Sequence, residues 1–443
     1  MKRLLRWSSG LLGLCLMVRG AEPSTIDLPT ALRLAGARNL AMEVARERVR
    51  EARGQLDQER LRLFPWIAPG IGYRRHEGNL QDIVGDVFNA SKQSGTAALT
   101  LQAQLDLGDA AYRVLAAKQA VAASEAGSES RRRETVLSAA VAYTELGRAA
   151  AAVATVDEAR RITRATLEQV RAAQAAGLAP AADVRRVEVQ AGRNESLWLE
   201  AAQSRQLASA RLALLLRLPP TDPLVPDARD FVPMVLVPTN RALDSLVASA
   251  LRLRPEMRRS EAVVGLAEAR RQGATRGVWY PSVGAQASFG GLAGGRHGAW
   301  ARGDDYQDYG LGLSWRIGPG GIGDGSRIRS EGARLRIARL ERDQLQDELV
   351  LGLVELRSRT ETAARRVEVS GQTVQSARAL VATTRDRREY GVGMVLEAIE
   401  AERELARAQA EHVEAVAGHN RAQWELWHAS GQDQPSLDAG TRP

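Results

Sequence analysis

Two copies of one pattern, spaced by about 215 residues, constrain the fold of this chain more than any other feature. Each copy opens with an Ala-rich helical stretch that leads to an aromatic-proline pair, Phe64-Pro65 in the first copy and Tyr280-Pro281 in the second. Further along, the segment Gly177–Asp183 recurs as Gly391–Glu397. An internal duplication explains both matches and predicts the same order of helices and strands in each half.

The duplication also sets the expected domain organisation. Six of the sixteen prolines lie close together near the middle of the chain, which is typical of a stiff linker. We expect a signal peptide at 1–20, a first repeat at 21–218, a Pro-rich linker at 219–240, a second repeat at 241–432 and a flexible tail at 433–443.

The first twenty residues have the features of a secretory signal peptide. A cationic start, Met1–Arg6, precedes the apolar run Leu11–Val18, which is too short to span a bilayer as a helix. The only cysteine, Cys15, lies inside this run and follows Leu14 rather than the small residue that lipid attachment requires. We therefore expect an exported mature chain without a disulfide.

Long proline-free stretches predict long helices. In the segment from 184 to 215, apolar residues occupy eight of ten positions of a heptad-like series. The same series 214 residues later, in the second repeat, also has eight apolar residues of ten. A narrow stripe with this period is a coiled-coil seam. The helix after residue 110 is predicted to run to about residue 176, a length of roughly 100 Å.

Alternating segments predict four strands, at about 66–76, 97–107, 283–292 and 309–317. Apolar side chains occupy the odd positions of Leu99–Leu107 and of Tyr309–Ile317, and mostly polar residues or glycines the even ones. Strands of about nine residues with one apolar face have the length and pattern of a transmembrane β-barrel. The predicted lipid-facing side chains are Leu99, Leu101, Leu105, Leu311, Leu313 and Trp315.

The placement of aromatic residues favours a membrane over the alternative, a soluble antiparallel sheet covered by helices. Twelve of the nineteen aromatic residues fall in 64–112 and 279–317, where interfacial girdles of a barrel would lie. If the exported protein enters a membrane, it must do so as a β-barrel.

Several function classes are excluded. The 61 basic and 53 acidic residues are interspersed, whereas a nucleic-acid-binding protein clusters its positive charge. The segment Gly318–Gly323 fits a nucleotide-binding glycine pattern, but a long helical stretch follows it where a second strand would be needed. His76 and His297 are expected in loops between strands, as solvated residues or, alternatively, as an outer ring of metal ligands. We predict no catalytic residue, no metal site and no cofactor.

The duplicated motifs together resemble the outer-membrane efflux proteins, the TolC-like exit channels. The matching residues are Leu28, Ala31-Leu32, Ala35 and Asn39 in the first copy, Ala250-Leu251 and Arg254-Pro255-Glu256 in the second, and the two aromatic-proline strand starts. The resemblance implies a mainly α fold with a small β part. It also implies a homotrimer in which each chain gives four strands to one transmembrane barrel and its helical hairpins to a periplasmic tunnel.

The resemblance further implies the positions of the functional residues. The hairpin tips that dock on a periplasmic membrane-fusion adaptor would be Gly177, Leu178 and Ala179 in the first copy and Gly391, Val392 and Gly393 in the second. Acidic residues of the tunnel constriction match Glu397 and Glu400, with Asp183 at the equivalent place in the first copy.

The expected function is a passive exit duct in the outer membrane, served by the adaptor and by an RND-type or ABC-type inner-membrane pump. Type I protein secretion uses the same kind of duct and is an alternative. An alternative of another class is a soluble periplasmic coiled-coil protein that acts as a spacer or adaptor.

Overall fold

The computed structural model describes residues 24–238, 240–301, 303–389 and 394–432. The expected signal peptide with Cys15, the tail at 433–443 and the second hairpin tip, Gly391 to Gly393, lie outside the described residues.

The described chain is mainly helical with a small strand part, as the sequence predicts. The helices are α1 Leu28–Arg38, α2 Leu40–Leu61, α3 Leu107–Ala175, α4 Ala181–Leu215, α5 Leu243–Leu253, α6 Pro255–Thr275, α7 Gly325–Glu389 and α8 Val395–Ala429. The strands are β1 Ser24–Ile26, β2 Trp66–Gln81, β3 Val87–Asp106, β4 Leu224–Pro226, β5 Ser282–Arg296 and β6 Asp304–Ser314.

The helices α3 and α7 are exceptionally long, with 69 and 65 residues. No proline interrupts either one, and alanine side chains cost little entropy in a helix. Arg–acid pairs three residues apart line their exposed sides, as with Arg161 and Glu158 at 2.6 Å, and each such pair adds a few tenths of a kcal/mol, roughly 0.2–0.5. One 18-residue stretch of α3 is apolar enough to cross a membrane, but half of it is buried inside the chain, as in a packed core helix.

Among the described residues the chain forms two compact units, and each unit contains parts of both sequence repeats. The first comprises residues 24–39, 138–235 and 362–422, and the second comprises most of 40–137, 236–361 and 423–432. The helices α3, α7 and α8 contribute residues to both units, because they are far longer than a single core requires.

In the first unit, part of the predicted Pro-rich linker is folded against helices. Its strand β4 pairs in parallel with β1, so that Thr25 lies opposite Val225. The hydroxyl of Tyr143 donates a hydrogen bond to Asp230 Oδ2 at 2.8 Å, and the Leu28 amide donates to the same oxygen at 3.1 Å. Burial raises the pKa of Tyr143, and Asp230 raises it further. These bonds hold the start of α1 and the linker segment around Asp230 on α3.

In the second unit, the four long strands form one antiparallel sheet in the order β2-β3-β5-β6. Two predicted strands, 97–107 and 309–317, extend too far. The strand β3 ends at Asp106 and β6 ends at Ser314, because both residues lie opposite Ser282, the first residue of β5, and no partner remains beyond it. Conversely, β2 continues past the predicted end at residue 76 to Gln81, since it pairs with β3 up to Val87.

Candidate functional site

The register of the sheet places odd-numbered residues of all four strands on one face. Ile67 lies opposite Leu101, Leu101 opposite Ala287, and Ala287 opposite Tyr309. Because side chains alternate between faces along a strand, this single row fixes the face of every other residue in the sheet.

The odd-numbered face is continuously apolar over the middle of the sheet. Ile71 is 92% exposed and Leu311 is 81% exposed, and Leu99, Leu101 and Leu313 are exposed too, while Leu105 is half-buried. The members of this apolar band are Ile67, Pro69, Ile71, Tyr73, Ala97, Leu99, Leu101, Ala103, Leu105, Val283, Ala285, Ala287, Phe289, Tyr309, Leu311 and Leu313. An exposed apolar surface of this extent marks a contact with lipid or protein.

The even-numbered face carries mainly hydroxyl, amide and glycine residues. Thr100 and Ser288 hydrogen-bond across β3 and β5 at 3.1 Å, and the side-chain amide of Gln286 donates to Ser288 at 3.2 Å. The glycines of this face in the same stretch are Gly70, Gly72, Gly284, Gly290, Gly310 and Gly312. The sheet therefore has one face suited to hydrocarbon and one suited to water.

Aromatic side chains lie at both ends of the apolar band. Near one end, Tyr73 contacts Trp300 with ring centroids 5.9 Å apart, and Phe289 meets Tyr309 edge-on at 5.5 Å. Exposed aromatic residues at the other end are Trp66, Trp279, Tyr280 and Trp315. The prediction of Trp315 as a strand residue is wrong: it follows the last residue of β6, and its indole N–H donates to the Trp279 carbonyl at 3.4 Å.

The first hairpin tip is a tight turn between α3 and α4. Gly177 adopts a positive φ of 75°, which favours glycine, and its amide donates to the Gln174 carbonyl at 2.9 Å. The Leu178 amide closes the turn by donating to Ala173, and its side chain is 82% exposed. Ala179 instead packs on the apolar cluster beneath the tip.

That cluster brings the start of α8 to the first hairpin. Val170, Val184 and Val187 form its buried centre, and Val395 and Ile399 of α8 pack against them. Glu397 and Glu400 therefore lie near the hairpin that carries Asp183, all within the first unit.

Two of the three predicted constriction acids are paired with arginines. Asp183 Oδ1 lies 2.9 Å from Arg186 one turn along α4, and Glu397 Oε2 lies 3.5 Å from Arg387 near the end of α7. Glu400 is exposed and lines a cavity of about 1200 Å³ between α3, α4, α7 and α8 of the first unit. The assignment of the three acids to a constriction stays a prediction, but its charge is more balanced than the sequence indicates.

Side chains near the end of α8 hold the Pro-rich linker in place, a role that the sequence does not reveal. In the first unit, Asn420 accepts from the Met234 amide at 3.0 Å and donates to the Val232 carbonyl at 2.9 Å. His419 contacts the Met234 carbonyl at 2.9 Å through Nε2 and is buried, and this burial lowers its pKa. In the second unit, Gln423 Oε1 accepts from the Leu236 and Val237 amides.

Known proteins match this arrangement in sequence and in fold. The profile of the family described as "Outer membrane efflux protein" matches residues 31–216 and 246–432, which cover both repeats. No curated protein matches the sequence.

Solved structures with the same fold include several bacterial outer-membrane channels. A membrane protein from Pseudomonas aeruginosa has a TM-score of 0.75 at 19% identity, covering 91% of this chain and 93% of that chain. The outer membrane protein VceC of Vibrio cholerae has a TM-score of 0.72 at 22% identity, covering 91% and 96%. The MtrE outer membrane channel of Neisseria gonorrhoeae has a TM-score of 0.73 at 20% identity, covering 91% and 88%. Since the family profile matches most of its length, the chain belongs to the outer membrane efflux protein family, whose members are channels of the outer membrane and not enzymes.

Proposed function

We propose that this protein is the exit duct of a tripartite efflux system, a homotrimer that passively conducts substrate from an inner-membrane pump and a periplasmic adaptor to the outside. Membership of the efflux family excludes the soluble spacer that the sequence left open. Each chain contributes its four long strands to one transmembrane barrel, and its helices form the periplasmic tunnel.

The observation that carries this proposal is the two-faced sheet. Its apolar band covers seven to nine residues on β2, β3 and β5, a length of roughly 23–30 Å along each strand at about 3.3 Å per residue, comparable with the roughly 25 Å height of the apolar band of a transmembrane barrel. The band also steps along the register: it covers Ile67–Tyr73 on β2 and Tyr309–Leu313 on β6, and the row that ends the band at Ile67 on β2 begins it at Tyr309 on β6. Such a step is what tilted strands in a barrel require.

The sheet edges support assembly into a trimer. Among the described residues, β2 and β6 each pair on one side only, so both expose unpaired backbone groups at the same depth as the apolar band. Lipid cannot satisfy those groups. Pairing of β6 in one copy with β2 in the next closes a barrel of about twelve strands from three copies.

The helical tips support the adaptor contact and the constriction. Gly177 and Leu178 form an exposed turn above Ala179, which packs on the cluster beneath. We assign the adaptor contact to this turn and to Gly391, Val392 and Gly393. Three copies would bring Glu397, Glu400 and Asp183 around one axis at this end, where carboxylates favour cations.

Conductance across a planar lipid bilayer tests the proposal. The purified full-length protein should insert and give stepwise, long-lived ion currents. Protein that binds lipid vesicles without conducting ions would contradict a duct. Type I protein secretion remains the second candidate, because it needs the same duct; export of a polypeptide rather than small molecules from cells would favour it.

A further inference from the structure

Three basic side chains lie in one row across three neighbouring strands of the sheet. His76 of β2 lies opposite Lys92 of β3, and Lys92 lies opposite Arg296 of β5. All three are even-numbered, so this basic row is on the polar face, beyond the Tyr73 end of the apolar band. The sequence places His76 in a loop, but β2 continues five residues past it.

Like charges directly opposite each other on a sheet repel, so the row needs a balancing charge. In the described part of the chain, neither Lys92 nor Arg296 has a carboxylate within 4.0 Å. The acids of the same face nearby, Asp304 and Asp308, lie on β6 opposite Leu292 and Ser288 and not opposite the row.

The opposite face of the same strand behaves differently. Arg75, adjacent to His76 but on the odd-numbered face, forms an ion pair with Glu77. Arg75 is thus neutralised by an acid of the same strand, whereas Lys92 and Arg296 are not. The Nε2 atom of His76 is also buried and has no hydrogen-bond partner among the described residues, and such an atom gains from an added partner.

We propose that the basic row binds small anions that carry phosphate or carboxylate groups, at the external mouth of the duct. The proposal rests on the proposed function, because a closed barrel turns the polar face inward and multiplies the row by three around the exit. Lipid phosphates reach the other face and do not contact the row. Lysine and arginine beside His76 repel cations, so a metal is not the occupant.

Side-specific block by inorganic tripolyphosphate tests the site. Added from the outer side of a bilayer, it should reduce the current of the wild-type channel, and Lys92→Gln with Arg296→Gln should weaken this block about tenfold, because several close charge pairs are lost. The matched control is Arg75→Gln, because Arg75 is next to His76 on β2 but lies on the other face. This change should alter the block less than about twofold.

Titration calorimetry on the detergent-extracted full-length protein separates this proposal from the duct itself. Tripolyphosphate should bind the wild-type protein and bind the double variant about tenfold more weakly. Equal binding by the wild-type protein and the double variant, or equal loss in Arg75→Gln, would overturn the basic row as the site. Binding that depends on Lys92 and Arg296 in a protein that never conducts would leave the site standing and overturn the duct.

Discussion

Two histidines of α8 have pKa values lowered by their surroundings. Burial lowers the pKa of His428 to about 4, and the nearby charges of Arg254 and Arg133 act in the same direction, against Glu256. Burial also lowers the pKa of His419. Both rings are therefore neutral in the folded chain at neutral pH.

Acid should destabilise the protein through His428. The unfolded chain takes up a proton on this residue near pH 6.5 and the folded chain only near pH 4, so the free energy of unfolding falls as the pH drops through that range. Between pH 7 and pH 5 the loss should be about 2 kcal/mol. His428→Gln should remove that part of the loss, as measured by denaturant titration in detergent at both pH values. An unchanged pH dependence in the variant would contradict the assignment.

The charge at the hairpin tips gives a second prediction at this scale. Glu397 is paired with Arg387, so Arg387→Gln should raise the cation selectivity of the proposed trimer, with a permeability ratio changed by roughly twofold. Changing Glu397 and Glu400 together to Gln should lower the selectivity and weaken block by divalent cations. Reversal potentials in a salt gradient measure both effects, with Arg161→Gln, which breaks an exposed surface pair, as control. If the double change has no effect, Glu397 and Glu400 do not form the proposed constriction, and Asp183 is the next candidate.

At the scale of elements, local sequence patterns predict whether a segment is a helix or a strand. They do not predict where a strand ends, because its end depends on the length of the strand it pairs with. The long helices follow from proline-free, Ala-rich sequence, and the structure has α3 within three residues of the predicted start. The alternation of Tyr309–Ile317 continues past Ser314, yet the strand stops there because β5 offers no further partner. The strands β1 and β4 are three residues long and pair across about 200 residues of chain, a contact that no local pattern shows.

The contacts of the candidate site also differ in whether the sequence alone predicts them. The pair of Asp183 with Arg186 is predictable from its spacing of three residues on a helix, whereas the pair of Glu397 with Arg387 joins two different helices, α8 and α7. The basic row depends on register, since His76, Lys92 and Arg296 lie far apart in sequence. Alternation predicts the faces of each strand, but only pairing shows which residues of different strands are neighbours.

The two faces of the sheet make a direct prediction. Leu101→Arg places a cation on the apolar band, which costs about 2–4 kcal/mol in the middle of a bilayer, and should reduce the amount of protein in the outer-membrane fraction. Gln102→Arg, the adjacent residue on the polar face, is the matched control and should assemble normally. Fractionation of membranes followed by migration with and without heating measures both. Equal losses for the two variants would mean that the odd-numbered face does not meet lipid.

At the scale of the whole molecule, a single chain leaves parts of its sheet without partners. Its sheet has two open edges and one exposed apolar face, and a barrel closed by three copies satisfies both at once. In the proposed trimer, the tip carboxylates would form one ring and the basic rows another. The duct and its proposed constriction therefore both depend on assembly of the chain.

The mass of the particle extracted from outer membranes in mild detergent tests that dependence most directly. Native mass spectrometry should find one species with three times the mass of the mature chain, resistant to dilution. A monodisperse monomer, or a population that stops at the dimer, would contradict the three-chain barrel.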